Sequence, residues 1–184
     1  MTARPTLYLT AGLPGTGKTT WATQLARTQP VVRLTPDDWM APLFGDSNAG
    51  GRRDVLEGRL IWVAHQALLT GASAVLDFGC WSPDERYAIR SVAELAGAAF
   101  VLKDFRVDEV ERRARATRRW EDVPATTFAM SDADHDRFLA AYQPPSEAEL
   151  SIGPIPLPPS GFESWLHWAD RRWPTLGLLD SPAA

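Results

Sequence analysis

Gly12-Leu13-Pro14-Gly15-Thr16-Gly17-Lys18-Thr19 fits the pattern G-x-x-x-x-G-K-[ST] at every fixed position. The glycines let backbone amides turn toward a polyanion, the Lys18 ammonium neutralises β and γ phosphates, and the Thr19 hydroxyl can ligate magnesium. Its flanks agree with it. Leu7-Tyr8-Leu9-Thr10 is a short apolar strand before the turn, and Thr19 to Arg27 reads as a helix whose positive end favours phosphate. Strand, glycine turn and helix in this order predict a nucleotide cradled by residues Gly12 to Thr20, with ATP and Mg2+ as the ligands.

Working outward, Val31 to Leu34 predicts a second buried strand, with Asp37 and Asp38 following where that strand emerges from a sheet. Arg52 to Thr70 reads as a helix through Leu56, Leu60, Val63 and Ala67, stopped by Gly71. Ala74 to Phe78 is a third strand carrying Asp77 near its end. Pro83 then opens a helix over Asp84 to Leu95, with Ile89, Val92 and Leu95 on its apolar face, and Ala98 to Phe105 is a fourth strand. Asp108 is placed to cap a helix bearing Arg112, Arg113, Arg115, Arg118 and Arg119. Strands separated by helices predict an α/β fold with a mostly parallel sheet. Asp132 to Tyr142 forms a further helix that Pro144 and Pro145 end. Residues 153–161 hold too many prolines for a central strand. Phe162, Trp165, Leu166 and Trp168 place an aromatic stripe on a short C-terminal helix that docks by core packing.

A chain of 184 residues with 45% hydrophobic content buries one substantial core. The expected organisation is a kinase-like domain over 1–150, with a proline-rich segment and C-terminal helix over 151–184 packed on it or appended to it. A formal charge of -4 disfavours nucleic acid as the default partner and leaves a small-molecule acceptor as the expected one. Cys80 is the single cysteine, so no intrachain disulfide forms and reducing cytosol is the plain reading. Gly12, Pro14 and Gly15 interrupt the apolar run after Arg4 and Pro5 before it becomes a signal-peptide core. No stretch approaches the roughly 20 apolar residues of a membrane span. The expectation is a cytoplasmic protein, monomeric or a small homo-oligomer, without a membrane partner.

Phosphoryl transfer needs positioning, charge stabilisation and a carboxylate that takes the acceptor's proton. Asp77, at a strand end, either joins Thr19 at the metal or caps the helix starting near Ser82. Asp37 and Asp38 either supply a base or form a polar turn and helix cap. Arg112, Arg115 and Arg119 share a helical face, so a closing lid can aim them at phosphate.

These pieces resemble the P-loop kinase-like branch of AAA-type ATP-binding proteins, a group overlapping zeta-toxin, chloramphenicol phosphotransferase and polynucleotide 5′-kinase relatives. The resemblance runs from Leu7 to Glu149 through GLPGTGKTT at Gly12 to Thr20, DDW at Asp37 to Trp39, LDFGCWSPDER at Leu76 to Arg86, ERRARATRR at Glu111 to Arg119 and YQPPSEAE at Tyr142 to Glu149. It implies a three-layer P-loop NTPase fold with an arginine-rich helical lid. By the same resemblance Lys18 and Thr19 take phosphate and magnesium, Asp37 looks like the base, Asp77 looks like its partner at the acceptor site, and Arg112 or Arg115 belongs to the lid. In polynucleotide kinase relatives an arginine that contacts acceptor phosphate follows the aspartates. Met40 stands there in this chain, and Arg52 or Arg53 are the candidates to replace it. Relatives also continue after the PP-acidic segment with an apolar strand, which Ile152-Gly153-Pro154-Ile155-Pro156 interrupts.

The expected activity is an ATP-dependent kinase for a hydroxyl on a nucleoside, sugar or antibiotic. A polynucleotide 5′-hydroxyl kinase and a nonenzymatic nucleotide-dependent binding module are the alternatives.

Overall fold

A computed structural model describes residues 4–124 and 127–179. Strand β1 (Thr6–Ala11) runs between β3 (Ser73–Leu76) and β4 (Ala99–Asp104), and β2 (Val31–Leu34) lies outside β3. Every pairing is parallel, with Leu7 opposite Ala74 and Phe100, and Leu9 opposite Leu76 and Leu102. Alternation along the strands then sorts the side chains. Leu7, Leu9, Ala74 and Leu76 enter the main core under α3 (Arg52–Leu69) and α4 (Pro83–Leu95). Val75 turns to the opposite face and meets Ala22 and Leu25 of α1 (Lys18–Thr28), with Tyr8 and Trp21 beside them. The result is a three-layer α/β P-loop NTPase fold whose described sheet is wholly parallel. Arginine-rich α5 (Glu109–Asp122) forms the helical lid.

The chain leaves β1 on one face and β3 on the other. Open sheets bind ligands in the crevice this creates beyond the carboxyl ends of the strands.

Helix α2 (Asp37–Phe44) was not legible as a helix, because Pro42 sits inside it and Pro36 stands at its N-cap. It buries Met40 and exposes Trp39 and Leu43. The buried stripe of α3 is also rotated from the expected Leu56, Leu60, Val63 and Ala67. Glu57, Leu60, Ile61, Ala64 and Leu68 are buried while Val63 is exposed. The reason is that α3 packs on the sheet with one flank and under the C-terminal turn with another. Gly58 faces Trp173, Thr175 and Leu176.

Ser82, not Asp77, caps α4, in a reciprocal capping box with Glu85. Beyond α6 (Asp132–Ala141), the short α7 (Glu147–Leu150) is tied to α4 by the buried Arg86–Glu149 ion pair at 2.6 Å. Arg86 also donates to the carbonyls of Cys80 and Gln143 at 3.1 and 3.0 Å. Residues 153–161 form no strand, as the prolines predict. Helix α8 (Trp165–Arg172) then packs on α4, with the Trp165 ring 5.5 Å from Tyr87. The aromatic stripe thus joins the core. Its anchor, the fully buried Trp173, lies just past the helix and outside the stripe. Residues 1–3 and 180–184 of the expected organisation lie outside the described residues. No helix among those described is long and apolar enough to cross a membrane.

A Cβ on Gly58 would stand 2.6 Å from Thr175 Oγ1 and 3.1 Å from the Leu176 nitrogen. We therefore expect Gly58→Ala to destabilise the fold by about 1–3 kcal/mol through overpacking. Urea unfolding would show a lower midpoint at unchanged slope. A wild-type midpoint would mean that the C-terminal turn is not seated on α3.

Candidate active site

The loop between β1 and α1 is shaped from behind by the lid. Gly15 has φ +88°, and a Cβ there would lie 2.3 Å from the Arg112 carbonyl oxygen, so only glycine lets α5 approach so closely. Gly17, at φ +98°, meets nothing within 4 Å and serves the left-handed turn into α1. It is the N-cap of α1 and offers no side-chain cap, so the first-turn amides of Lys18, Thr19 and Thr20 keep no intrahelical partner. Thr16 is turned inward, its hydroxyl donating to the Leu13 carbonyl at 2.8 Å.

Lys18 Nζ donates to the same Leu13 carbonyl at 2.9 Å. Burial pushes its pKa down to about 8, the charges of Asp77 and Asp37 oppose that fall, and Arg119 and Arg53 add to it. The carboxylates thus favour the charged ammonium and the guanidiniums oppose it. A desolvated cation satisfied by a neutral carbonyl is matched to an arriving polyphosphate, which supplies the missing negative charge.

Asp77 is buried just beyond β3, and its amide extends the β2–β3 pairing by donating to the Leu34 carbonyl at 2.9 Å. Its Oδ1 accepts from Thr19 Oγ1 at 3.4 Å, and its Oδ2 accepts from Thr35 Oγ1 at 3.0 Å and Arg33 Nη1 at 3.3 Å. Burial raises its pKa, and Thr35, Lys18, Thr19 and Arg33 counter that rise. The Thr19 hydroxyl and the Asp77 carboxylate form an oxygen donor set that suits magnesium completed by phosphate and water. Among the described residues no group of three or more His, Cys, Asp or Glu could hold a metal.

Asp37 and Asp38 occupy the first turn of α2 and cap nothing. Asp37 Oδ1 accepts from Arg53 Nη1 of α3 at 3.0 Å, whereas Asp38 pairs with Arg33 of β2. Met40, where relatives carry arginine, is buried, and Arg53 brings a guanidinium to the aspartate from a different helix. Arg52 instead lies over the Phe44 ring, 5.3 Å from its centroid. Arg33 and Thr35 were missed in the sequence, since nothing in β2 marks an arginine as turned toward two acids.

The lid arginines are sorted by depth. Arg112 is buried, with Nε and Nη2 on Glu109 at 2.7 and 2.6 Å and Nη1 on the Pro14 carbonyl at 3.0 Å. Nη1 also donates to His135 Nδ1 at 3.2 Å, which leaves that imidazole nitrogen as acceptor. Those hydrogen bonds from Arg112 hold Glu109 down to about 2. Arg115 pairs with Glu111 at 2.8 Å, its side chain 49% exposed. The Arg119 guanidinium makes no hydrogen bond or ion pair among the described residues, and its charge reaches Lys18.

A parallel sheet whose central strand feeds this loop into an uncapped helix defines a P-loop protein. The AAA domain family model matches residues 7–145, and the chain belongs to that family. No curated protein matches the chain. Among solved structures it is similar to Chaetomium thermophilum Kti12 in complex with ADP-AlF3, at 16% identity and TM-score 0.60 over 97% of this chain and 100% of that one. A gluconokinase from Sinorhizobium meliloti is similar at 14% identity and TM-score 0.55, over 96% and 94%. A chain of a Pnkp1/Rnl/Hen1 RNA repair complex reaches TM-score 0.63 at 21% identity, over 77% of this chain, which spans only 45% of that one. At such identities the likeness is one of fold.

Depth separates two expected phenotypes. Arg112→Met leaves the Pro14 carbonyl and Glu109 without their donor and should cost on the order of 3 kcal/mol of stability. Arg119→Met should stay within about 0.5 kcal/mol in stability and weaken binding of an ATP analogue. Denaturation and nucleotide titration of both variants check this, and equal stability losses would refute the sorting. Because the folded pKa of Glu109 lies below its ordinary 4.5, its clamp on α5 is complete above that pH and is lost as pH falls through about 2. Hydrogen exchange in α5 should quicken over that interval and not above it.

Proposed function

We propose that the chain is an ATP-dependent phosphotransferase whose acceptor is a hydroxyl on a small molecule such as a nucleoside, sugar or antibiotic. The observation that carries this reading is that two carboxylates beyond the strand ends are held from different elements, Asp77 by the Thr19 hydroxyl of the phosphate-loop helix and Asp37 by Arg53 of α3. Asp77 Oδ1 accepts from the Thr19 hydroxyl, so in this reading it sits on the metal side. Asp37 comes from α2, is 32% exposed along its side chain, and has Oδ1 fixed by Arg53 while Oδ2 accepts nothing among the described residues. That free oxygen is the base.

The acceptor hydroxyl gives its proton to Asp37 Oδ2 as its oxygen bonds to the γ phosphorus, and the bond from that phosphorus to the β–γ bridging oxygen breaks. Lys18 and the uncapped amides of α1 hold the charge that moves onto the departing diphosphate. Arg119 approaches from the lid as the free cation for the transferring group. Arg112 acts beneath the loop, holding Pro14 in place, and Arg115 steers from the lid's outer face. Thr19 and Asp77 would hold magnesium, which would supply neutralisation of phosphate charge. In this reading residues 1–150 form the catalytic unit and 151–184 its packed extension.

Lys18→Ala should lower turnover about 100-fold or more, on the order of 2.7 kcal/mol in the barrier. Asp37→Asn should lose about 100- to 10,000-fold in transfer with ATP affinity intact, while Asp38→Asn should lose far less. Radiolabelled ATP with a panel of nucleosides, sugars, aminoglycosides and a 5′-hydroxyl oligonucleotide reads out the acceptor. Phosphate appearing only on the oligonucleotide would replace the small-molecule reading. An active Asp37→Asn beside a dead Asp38→Asn would move the base to Asp38.

A further inference from the structure

Asp37 does not hold its own orientation. Its fixed oxygen is gripped by Arg53, and Arg53 is gripped in turn: Nε donates to Glu57 Oε1 at 2.9 Å one turn along α3, and Nη1 also donates to the Ser47 carbonyl at 3.2 Å. The other Glu57 oxygen accepts from the indole Nε1 of Trp173 at 3.3 Å. Trp173 is fully buried, and Glu57 is 8% exposed. Indole, carboxylate, guanidinium and carboxylate thus form one hydrogen-bonded series from the C-terminal turn to the acceptor side of the crevice.

We propose that Trp173, Glu57 and Arg53 are positioning residues for the acceptor base, so that the C-terminal segment sets the activity of Asp37. The proposal rests on the reading of Asp37 as base. Packing alone does not require tryptophan at 173, because a hydrocarbon ring would fill the same core. What tryptophan adds is a buried donor with no acceptor function. It satisfies the oxygen of Glu57 that Arg53 leaves open.

The series is strongest while Glu57 is ionised, since the carboxylate accepts through two charged oxygens, whereas protonation makes one of them an O–H donor and weakens the hold on Arg53 and Trp173. Burial pushes the Glu57 carboxyl up, while Arg53, the Trp173 indole and Arg172 bring it back and Glu85 of α4 adds to the rise. The charge of Glu57 in turn adds to the rise that burial and Glu85 give the Cys80 thiol. Arg172 is itself tethered, at 2.8 Å to Asp54 and 3.0 Å to Glu85, so the end of α8 delivers both the indole and a second cation to α3. Removing the indole donor takes away a group that lowers the Glu57 pKa. Glu57 then protonates at higher pH, and the acid limb of the rate profile moves up with it.

The test uses the full chain and Mg-ATP hydrolysis, in which water takes the acceptor place. Trp173→Phe keeps the ring, Glu57→Gln keeps the volume, and Asp37→Asn reports on the base itself. Stability, ATP-analogue affinity, the pH profile of kcat and carboxyl carbon-13 NMR titration are measured for each. We expect Trp173→Phe to raise the Glu57 midpoint and shift the acid limb upward in step, with nucleotide affinity unchanged. Glu57→Gln should lower kcat by about 10- to 100-fold through misplacement of the base, at every pH and without that limb. A wild-type profile in both variants, with Asp37→Asn inactive, overturns the proposal alone. A fully active Asp37→Asn overturns the base assignment and the positioning series together. If Trp173→Phe fails to fold, a Glu57→Gln enzyme with normal kcat still refutes it.

Discussion

β1 runs between two parallel partners, and its register with β3 and β4 brings the ends of neighbouring strands into one row. Leu7 and Leu9 have no exposure, so a shift of one residue would expel both from the core and turn Tyr8 inward. Everything chemical hangs on that row. Gly12 follows β1, Asp77 follows β3 and Asp37 follows β2 by way of Thr35 and Pro36, each carried to the same side of the molecule by strands that cannot slip. The Asp77 amide bond to Leu34 continues the ladder into the site itself, which makes the Asp77 carboxylate an extension of the sheet.

Around that edge the charges are arranged in cross-element pairs. Asp37 is held from α3, Asp38 from β2, and Asp77 from the first turn of α1 and the loop after β2. Adjacent aspartates thereby face different cations, which separates their roles more firmly than direction of side chain would. That separation does not come from extended backbone. It comes from a helical first turn whose successive residues are drawn to opposite neighbours.

The phosphate loop, the strands and the lid helix were legible because each rests on local chemistry. A glycine with no alternative, an apolar run or a cap such as Asp108 can be read within a few residues. Helix α2 escaped because its proline contradicts its conformation, and its stability comes from burying Met40 rather than from propensity. The stripe on α3 was misread by a fraction of a turn because two different surfaces cover that helix. Arg33, Thr35 and Glu57 were invisible as site residues, and Arg53 was only a candidate. Their partners lie between 2 and 116 positions away, and only the fold discloses which group meets which. Arg112 was legible as a lid residue but not as a buried one, since helical spacing puts it on the same face as Arg119 and says nothing of depth.

The contact of the Arg112 carbonyl with Gly15 turns α5 into a lever with a fixed fulcrum. The helix cannot slide over the loop there, because backbone meets backbone with no side chain to yield. Arg119 is seven residues farther, roughly 10 Å along the axis, so a tilt of about ten degrees at the fulcrum moves its root by roughly 2 Å. A displacement too small to disturb the loop is thus multiplied at the far end of the helix.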